Sequence, residues 1–198
     1  MKVPFWVPSL WIGLALYCWP QHLGLALVGY HGICLAGSCR RDAWTLGPIH
    51  KTDAVWPLLG AGLILLALVL PPVSWFPSMT VGSLMARWPG GLQGQAIYAV
   101  LVNAPLEEAF WRGALNRDKA GWTPLRHGLA FGLHHGLAAA LLFPRSWVIP
   151  AFLVPALAGQ FWTWLARRKS GIGIPILLHA FSDLSLLVLA GHQMKAAL

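Results

Sequence analysis

The chain has 198 residues, 57% of them hydrophobic and only 10% charged, with a mean hydropathy of +0.62. A water-soluble domain of this size cannot cover such a composition with polar surface, so the natural solvent is lipid. The formal charge of +8 comes from Lys and Arg sorted into short loops between apolar runs, which reads as membrane orientation and not as a nucleic-acid surface.

In chain order, apolar stretches between charges and helix breakers cover about 4–19, 22–37, 54–73, 93–111, 127–143, 147–166 and 171–190. They predict an all-α fold, a polytopic transmembrane bundle of six to seven helices, with residues 1–198 forming one integral-membrane domain. Lys2 and the run after it resemble the start of a signal peptide, but the run is too long for one and reads as a first span. Only Pro20, Gln21 and His22 separate the first two stretches, which form two short spans, one kinked helix or a re-entrant pair. Trp19, Trp56, Trp75, Trp88, Trp111, Trp147 and Trp164 fall near the ends of apolar runs, the pattern of an aromatic belt. Cys18, Cys34 and Cys39 lack metal-ligand spacing and read as free thiols.

Basic residues collect in three loops: Arg40, Arg41 and Lys51; Arg112, Arg117, Lys119 and Arg126; and Arg167, Arg168 and Lys169. Two spans separate each consecutive pair, and the intervening loops carry only Arg87 and Arg145. The three loops are therefore expected on the cytoplasmic side, with the C-terminus opposite.

Of six acidic residues, Glu107, Glu108 and Asp183 fall within expected spans, where a central charge costs about 2.5–3.5 kcal/mol on insertion scales. His134, His135 and His179 lie within spans too. Glu107 stands five residues from Arg112, His135 nine from Arg126 and His179 ten from Lys169, which puts all three roughly 8–15 Å inward at helical rise. Agreement in depth argues for one shared site. Glu108 and Arg112, four apart with the acid first, suit an intrahelical pair, whereas Glu107 points about 140° away from Arg112 on an ideal helix and is left to act as a base. Gly128, Gly132 and Gly136 recur every four residues and make a face that another helix can approach. His135 lies one step from that face and is expected to look into the bundle, with His134 turned toward lipid or a peripheral partner. His179 and Asp183, also four apart, form a polar stripe in which the carboxylate can orient the imidazole.

Glu107-Glu108-Ala109-Phe110-Trp111-Arg112 resembles the Glu-Glu-x-x-x-Arg motif of the CPBP family, the CAAX proteases and bacteriocin-processing enzymes also called the Abi family. Phe131-Gly132-Leu133-His134-His135 resembles its Phe-x-x-x-His motif, and His179-Ala180-Phe181-Ser182-Asp183 its His-x-x-x-Asn or Asp motif. The resemblance covers about the C-terminal half. It implies a glutamate-type intramembrane endopeptidase related to the type II CAAX prenyl proteases, in a prokaryotic cell membrane, acting on a membrane-associated peptide or protein without metal or cofactor. Glu107 with His135 would activate a water, and His179 with Asp183 would stabilise the oxyanion, while Glu108 and Arg112 complete the first motif. An ionised Asp183 cannot donate to an oxyanion where Asn can, so it must be protonated or act by orienting His179.

Two rivals are weighed on the same residues. A metal-dependent membrane hydrolase would draw on two His and two or three carboxylates, but no His-Glu-x-x-His occurs. A non-catalytic immunity or maturation factor, or a proton-coupled carrier, would use the same buried carboxylates, and the inverted repeats common in carriers are not visible.

Overall fold

In lipid, backbone N–H and C=O groups find partners only in one another, which favours helices throughout. The computed structural model describes residues 3–19, 22–39, 41–48, 53, 55–56, 59, 62, 91–115 and 123–196. No strand occurs among them, and the protein is all-α. Most of the expected span 54–73, together with Trp75, Trp88 and the charges Arg40, Lys51, Arg87, Arg117 and Lys119, lies outside the described residues. The helices are α1 (Trp6–Cys18), α2 (Leu23–Gly37), α3 (Gly91–Tyr98), α4 (Ala104–Glu108), α5 (Pro124–Leu142), α6 (Val148–Arg168) and α7 (Gly173–Ala196). Wider π turns occupy Ala99–Asn103 and Ala109–Ala114, and short 3-10 turns occupy Arg41–Trp44 and Arg145–Trp147. Among the described residues, the run Arg145–Arg168 is long and apolar enough to cross a membrane, while Trp6–Cys18, Leu23–Gly37 and Gly173–Val188 are shorter apolar helices.

The chain divides into two compact units, each assembled from two stretches of sequence. The first comprises residues 1–48 and 106–175. Here α1 and α2 are separate helices packed on each other, with the Trp11 indole donating to the Ala26 carbonyl at 2.9 Å. That excludes a single kinked helix. Thr123 caps α5 by accepting from the Arg126 amide at 3.2 Å, and Pro124 follows at a position where its missing N–H costs nothing. The expected glycine face is the surface on which α6 lies. A Cβ on Gly132 would stand 2.5 Å from the Phe152 carbonyl oxygen, and one on Gly128 would collide with that of Ala156. The other flank of α5 takes α1, where Gly13 meets Leu137, and the ring of Tyr30 from α2. The 3-10 turn backs onto the second π turn, with the Ala43 carbonyl against Gly113. Just beyond, Ile172 and Gly173 donate their amides to the Thr45 and Leu46 carbonyls at 2.9 and 3.1 Å. Gly47, at φ 76°, turns the chain beside Gly171 in a conformation side chains resist.

The second unit comprises residues 49–105 and 176–198 and contains α3, the first π turn and most of α7. The π turn has a local cause. Pro105 has no N–H, and its ring would crowd the carbonyl four residues back; the ladder widens ahead of it, with the Ala104 amide bonding Ala99.

Polarity in the first unit is inverted relative to a water-soluble core. Leu125, Leu129, Leu133, Leu137 and Leu141 run exposed down one side of α5, and Ile149, Leu153, Leu157 and Phe161 down α6, while Glu107, Glu108, Arg112, His127, His134 and Thr163 are buried. Such an exterior suits lipid and not water.

Candidate active site

Glu108 and Arg112 form the interior of the first unit. The Arg112 Nη1 donates to Glu108 Oε1 at 2.8 Å, and neither side chain is accessible. Four residues separate them, and the expected intrahelical pair is present, formed where α4 passes into the second π turn. The guanidinium lies over the ring of Phe131, 4.2 Å from its centroid, and 5.3 Å from that of Trp162, so the remaining positive edge faces aromatic faces instead of water. Arg112 therefore corrects the loop count: it is an interior residue, with Nε and Nη2 lacking hydrogen-bond partners among the described residues, and adds nothing to a cytoplasmic loop. Close by, a cavity of about 740 Å³ opens between Asp42, Thr45, Arg112, Arg167 and Ser170.

Glu107, on α4, is 4% exposed. Its carboxylate lies near the hydroxyl of Tyr30 on α2. The same hydroxyl accepts from Trp111 Nε1 at 3.3 Å. Trp111 was expected in an interfacial belt; instead it is 1% exposed, because its indole N–H reaches a partner inside the unit.

On α5 the two histidines exchange the expected surroundings. His134 is the buried one, stacked on Tyr30 at 4.6 Å, with Trp111 at 6.2 Å. His135 is partly exposed and 4.4 Å from the ring of Phe131. The glycine face is not the one packed side of α5: the helix lies between α6 and the α1–α2 pair, so the side opposite the glycines is interior as well. His135 retains a property a proton acceptor needs. Its Nδ1 donates to the Phe131 carbonyl at 2.9 Å, which fixes the proton on Nδ1 and makes Nε2 the acceptor nitrogen of the neutral ring.

In the second unit, His179 is buried and its Nε2 stands 3.7 Å from Asp183 Oδ1, an ion-pair distance longer than a hydrogen bond. Asp183 Oδ2 accepts from Asn103 Nδ2 at 2.9 Å. A carboxyl group with a donor at one oxygen and an imidazole edge near the other behaves as an acceptor, which favours orienting His179 over donating to substrate.

Sequence reasoning missed two of these residues. Tyr30 and Asn103 touch partners 81 and 80 positions away. The available signal was a polar side chain inside an apolar run, in Leu27-Val28-Gly29-Tyr30-His31 and Val100-Leu101-Val102-Asn103. Among the described residues no group of three or more His, Cys, Asp or Glu is arranged to hold a metal ion. Cys18, Cys34 and Cys39 are free.

An exterior of leucine over an interior that holds an ion pair, a carboxylate and histidines suits a helical protein embedded in lipid. The family model for type II CAAX prenyl endopeptidase Rce1-like proteins matches residues 89–185, which include all three motifs. Through that segment the chain is similar to this family of CAAX proteases, whose members are integral membrane proteins. Neither the curated proteins nor the solved structures give a match.

Proposed function

We propose that this protein is a glutamate-type intramembrane endopeptidase that hydrolyses a peptide bond in a membrane-presented peptide. The observation that carries the reading is the buried Glu107 carboxylate standing next to the buried Glu108–Arg112 pair, so that a second carboxylate is held in the same water-poor interior. Glu107 takes a proton from water as the oxygen attacks the scissile carbonyl carbon, with the His135 Nε2 lone pair as a second acceptor for the water. His179, oriented by Asp183, stabilises the charge that develops on the carbonyl oxygen. The C–N bond then breaks, the proton held by Glu107 passes to the leaving amine, and a carboxylate product remains. The grounds for joining His179 and Asp183 to this reaction are the order and spacing of the three motifs within the family segment.

The whole chain serves as one protease domain, with its basic loops toward the cytoplasm of a prokaryotic cell. Prenylated C-termini, leader peptides and C-terminal sorting segments are the substrate classes that chemistry of this kind serves. Mass spectrometry of membrane peptides from cells carrying the wild type and Glu107→Gln tests the reading. A set of peptides that accumulates with the variant and is shortened by the purified wild type supports it. Wild-type turnover by Glu107→Gln overturns it.

A further inference from the structure

The last turns of α6 carry polar donors on a side that otherwise faces lipid. Gln160, Trp164 and Arg168 follow one another at four-residue spacing, so they share a face and step by about 6 Å each toward the end of the membrane-crossing run. All three are exposed. Neither the Gln160 side-chain amide nor the Trp164 indole N–H has a hydrogen-bond partner among the described residues. The Arg168 guanidinium lies over the Trp164 ring, 5.2 Å from its centroid, and Phe161 stacks on that ring at 5.8 Å with planes 19° apart. Beside this face the start of α5 completes a groove of about 560 Å³, lined by Leu125, Leu157, Gln160, Phe161 and Trp164.

We propose that the groove seats one anionic phospholipid, with its phosphate at Arg168, its ester carbonyls against Trp164 and Gln160, and an acyl chain along Leu157 and Leu125. Hydrocarbon accepts no hydrogen bond, so an amide two turns inside the end of a span is costly unless an acceptor reaches it. A glycerophospholipid presents its acceptors in the order in which the donors descend: the charged phosphate outermost, the ester carbonyls beneath it, the chains beneath those. A soluble anion would meet Arg168 and leave the two deeper donors unanswered. Charge selects the headgroup. None of the six acidic residues of the chain lies on α5 or α6. Arg126 is exposed in the first turn of α5, ahead of the exposed leucines, and Arg167, Arg168 and Lys169 close α6. This rim is therefore cationic, with no carboxylate on either helix to balance it, and favours an anionic headgroup over a zwitterionic one. A lipid so placed touches both helices at the end where Gly128 lets them approach, on the helix that further along bears His134 and His135.

The test uses the full-length protein in detergent with dioleoylphosphatidylglycerol, dioleoylphosphatidylcholine or inorganic phosphate, reading bound lipid by native mass spectrometry and stability by the unfolding midpoint. The wild type is expected to hold one phosphatidylglycerol per chain about fivefold more tightly than phosphatidylcholine, and inorganic phosphate to leave the midpoint unmoved. Arg168→Gln is expected to weaken phosphatidylglycerol about fivefold and so to erase most of that preference. Gln160→Leu is expected to weaken both lipids alike, by roughly threefold to tenfold, because both carry the ester carbonyls. Arg145→Gln removes the same charge from the other end of the run and is expected to change neither. Equal binding of the two lipids by the wild type, or a loss in Arg145→Gln as large as in Arg168→Gln, overturns the site. A midpoint raised as far by inorganic phosphate as by phosphatidylglycerol makes the ligand a free anion and overturns the lipid. No retained lipid at all means that another part of the protein, or a second copy, covers the groove, and the proposal falls. Should Arg168→Gln fail to fold, the wild-type preference and the parallel loss in Gln160→Leu decide.

Discussion

The Arg112 guanidinium and the Glu108 carboxylate meet at 2.8 Å with no access to solvent, and the cation lies over the Phe131 ring and beside that of Trp162. Removing one member of such a pair strands the other charge in a low-dielectric interior, a loss of about 3–5 kcal/mol. Glu108→Ala and Arg112→Met are each expected to lower the thermal midpoint in detergent by many degrees, and Glu108→Leu combined with Arg112→Met to regain most of it. Single variants as stable as the wild type would show that the pair does not matter to the fold.

In the second unit, Asn103 and Asp183 set a sharper contrast. If Asp183 acts by orienting His179, removal of the amide donor in Asn103→Leu should cost about tenfold in kcat/KM, the usual scale for a group that steers a functional histidine. Asp183→Asn keeps an acceptor oxygen for the imidazole and should retain more activity than Asp183→Ala. The ranking of the two, measured on one peptide, discriminates orientation from bulk packing.

The approach of α6 to α5 gives a packing prediction. A methyl on Gly128 or Gly132 meets backbone of α6, which cannot step aside, while one on Gly136 meets the Phe152 side-chain carbon at 3.1 Å. Gly128→Ala and Gly132→Ala are expected to destabilise by about 1–3 kcal/mol, with Gly136→Ala milder. Unfolding midpoints of the three, compared in one detergent, check the order.

Hydrolysis through Glu107 needs no metal ion, so cleavage is expected to continue undiminished in strong chelators. Activity lost to chelation and restored by a single added metal would replace the glutamate mechanism with a metal-assisted one.

Local spacing made part of this arrangement legible. Glu108 and Arg112 lie four apart on a helical run, and the glycines of α5 repeat at four, so ladder geometry alone brings out the ion pair and the contact face. What needed coordinates were relations between distant segments. His134 was turned toward lipid on paper because one packed face says nothing of a second, and the second is built by Tyr30 from α2. Trp111 passed for a belt residue by its place at the end of an apolar run, yet its partner is 81 positions away. Asn103 and Asp183 are separated by 80. Arg112 looked like a loop charge because charge is what a hydropathy count registers, and burial against aromatic rings is not.

The amides of Ile172 and Gly173 close on the carbonyls of Thr45 and Leu46, so the start of the helix bearing His179 is clipped by chain that precedes the shared family segment. The motif region is therefore not a cassette that can be lifted out. Transplanted alone, residues 89–185 would leave behind the backbone that moors the start of α7 and the tyrosine that accepts from Trp111, and a change near residue 45 can reach the start of the helix that carries the histidine motif without altering any motif letter.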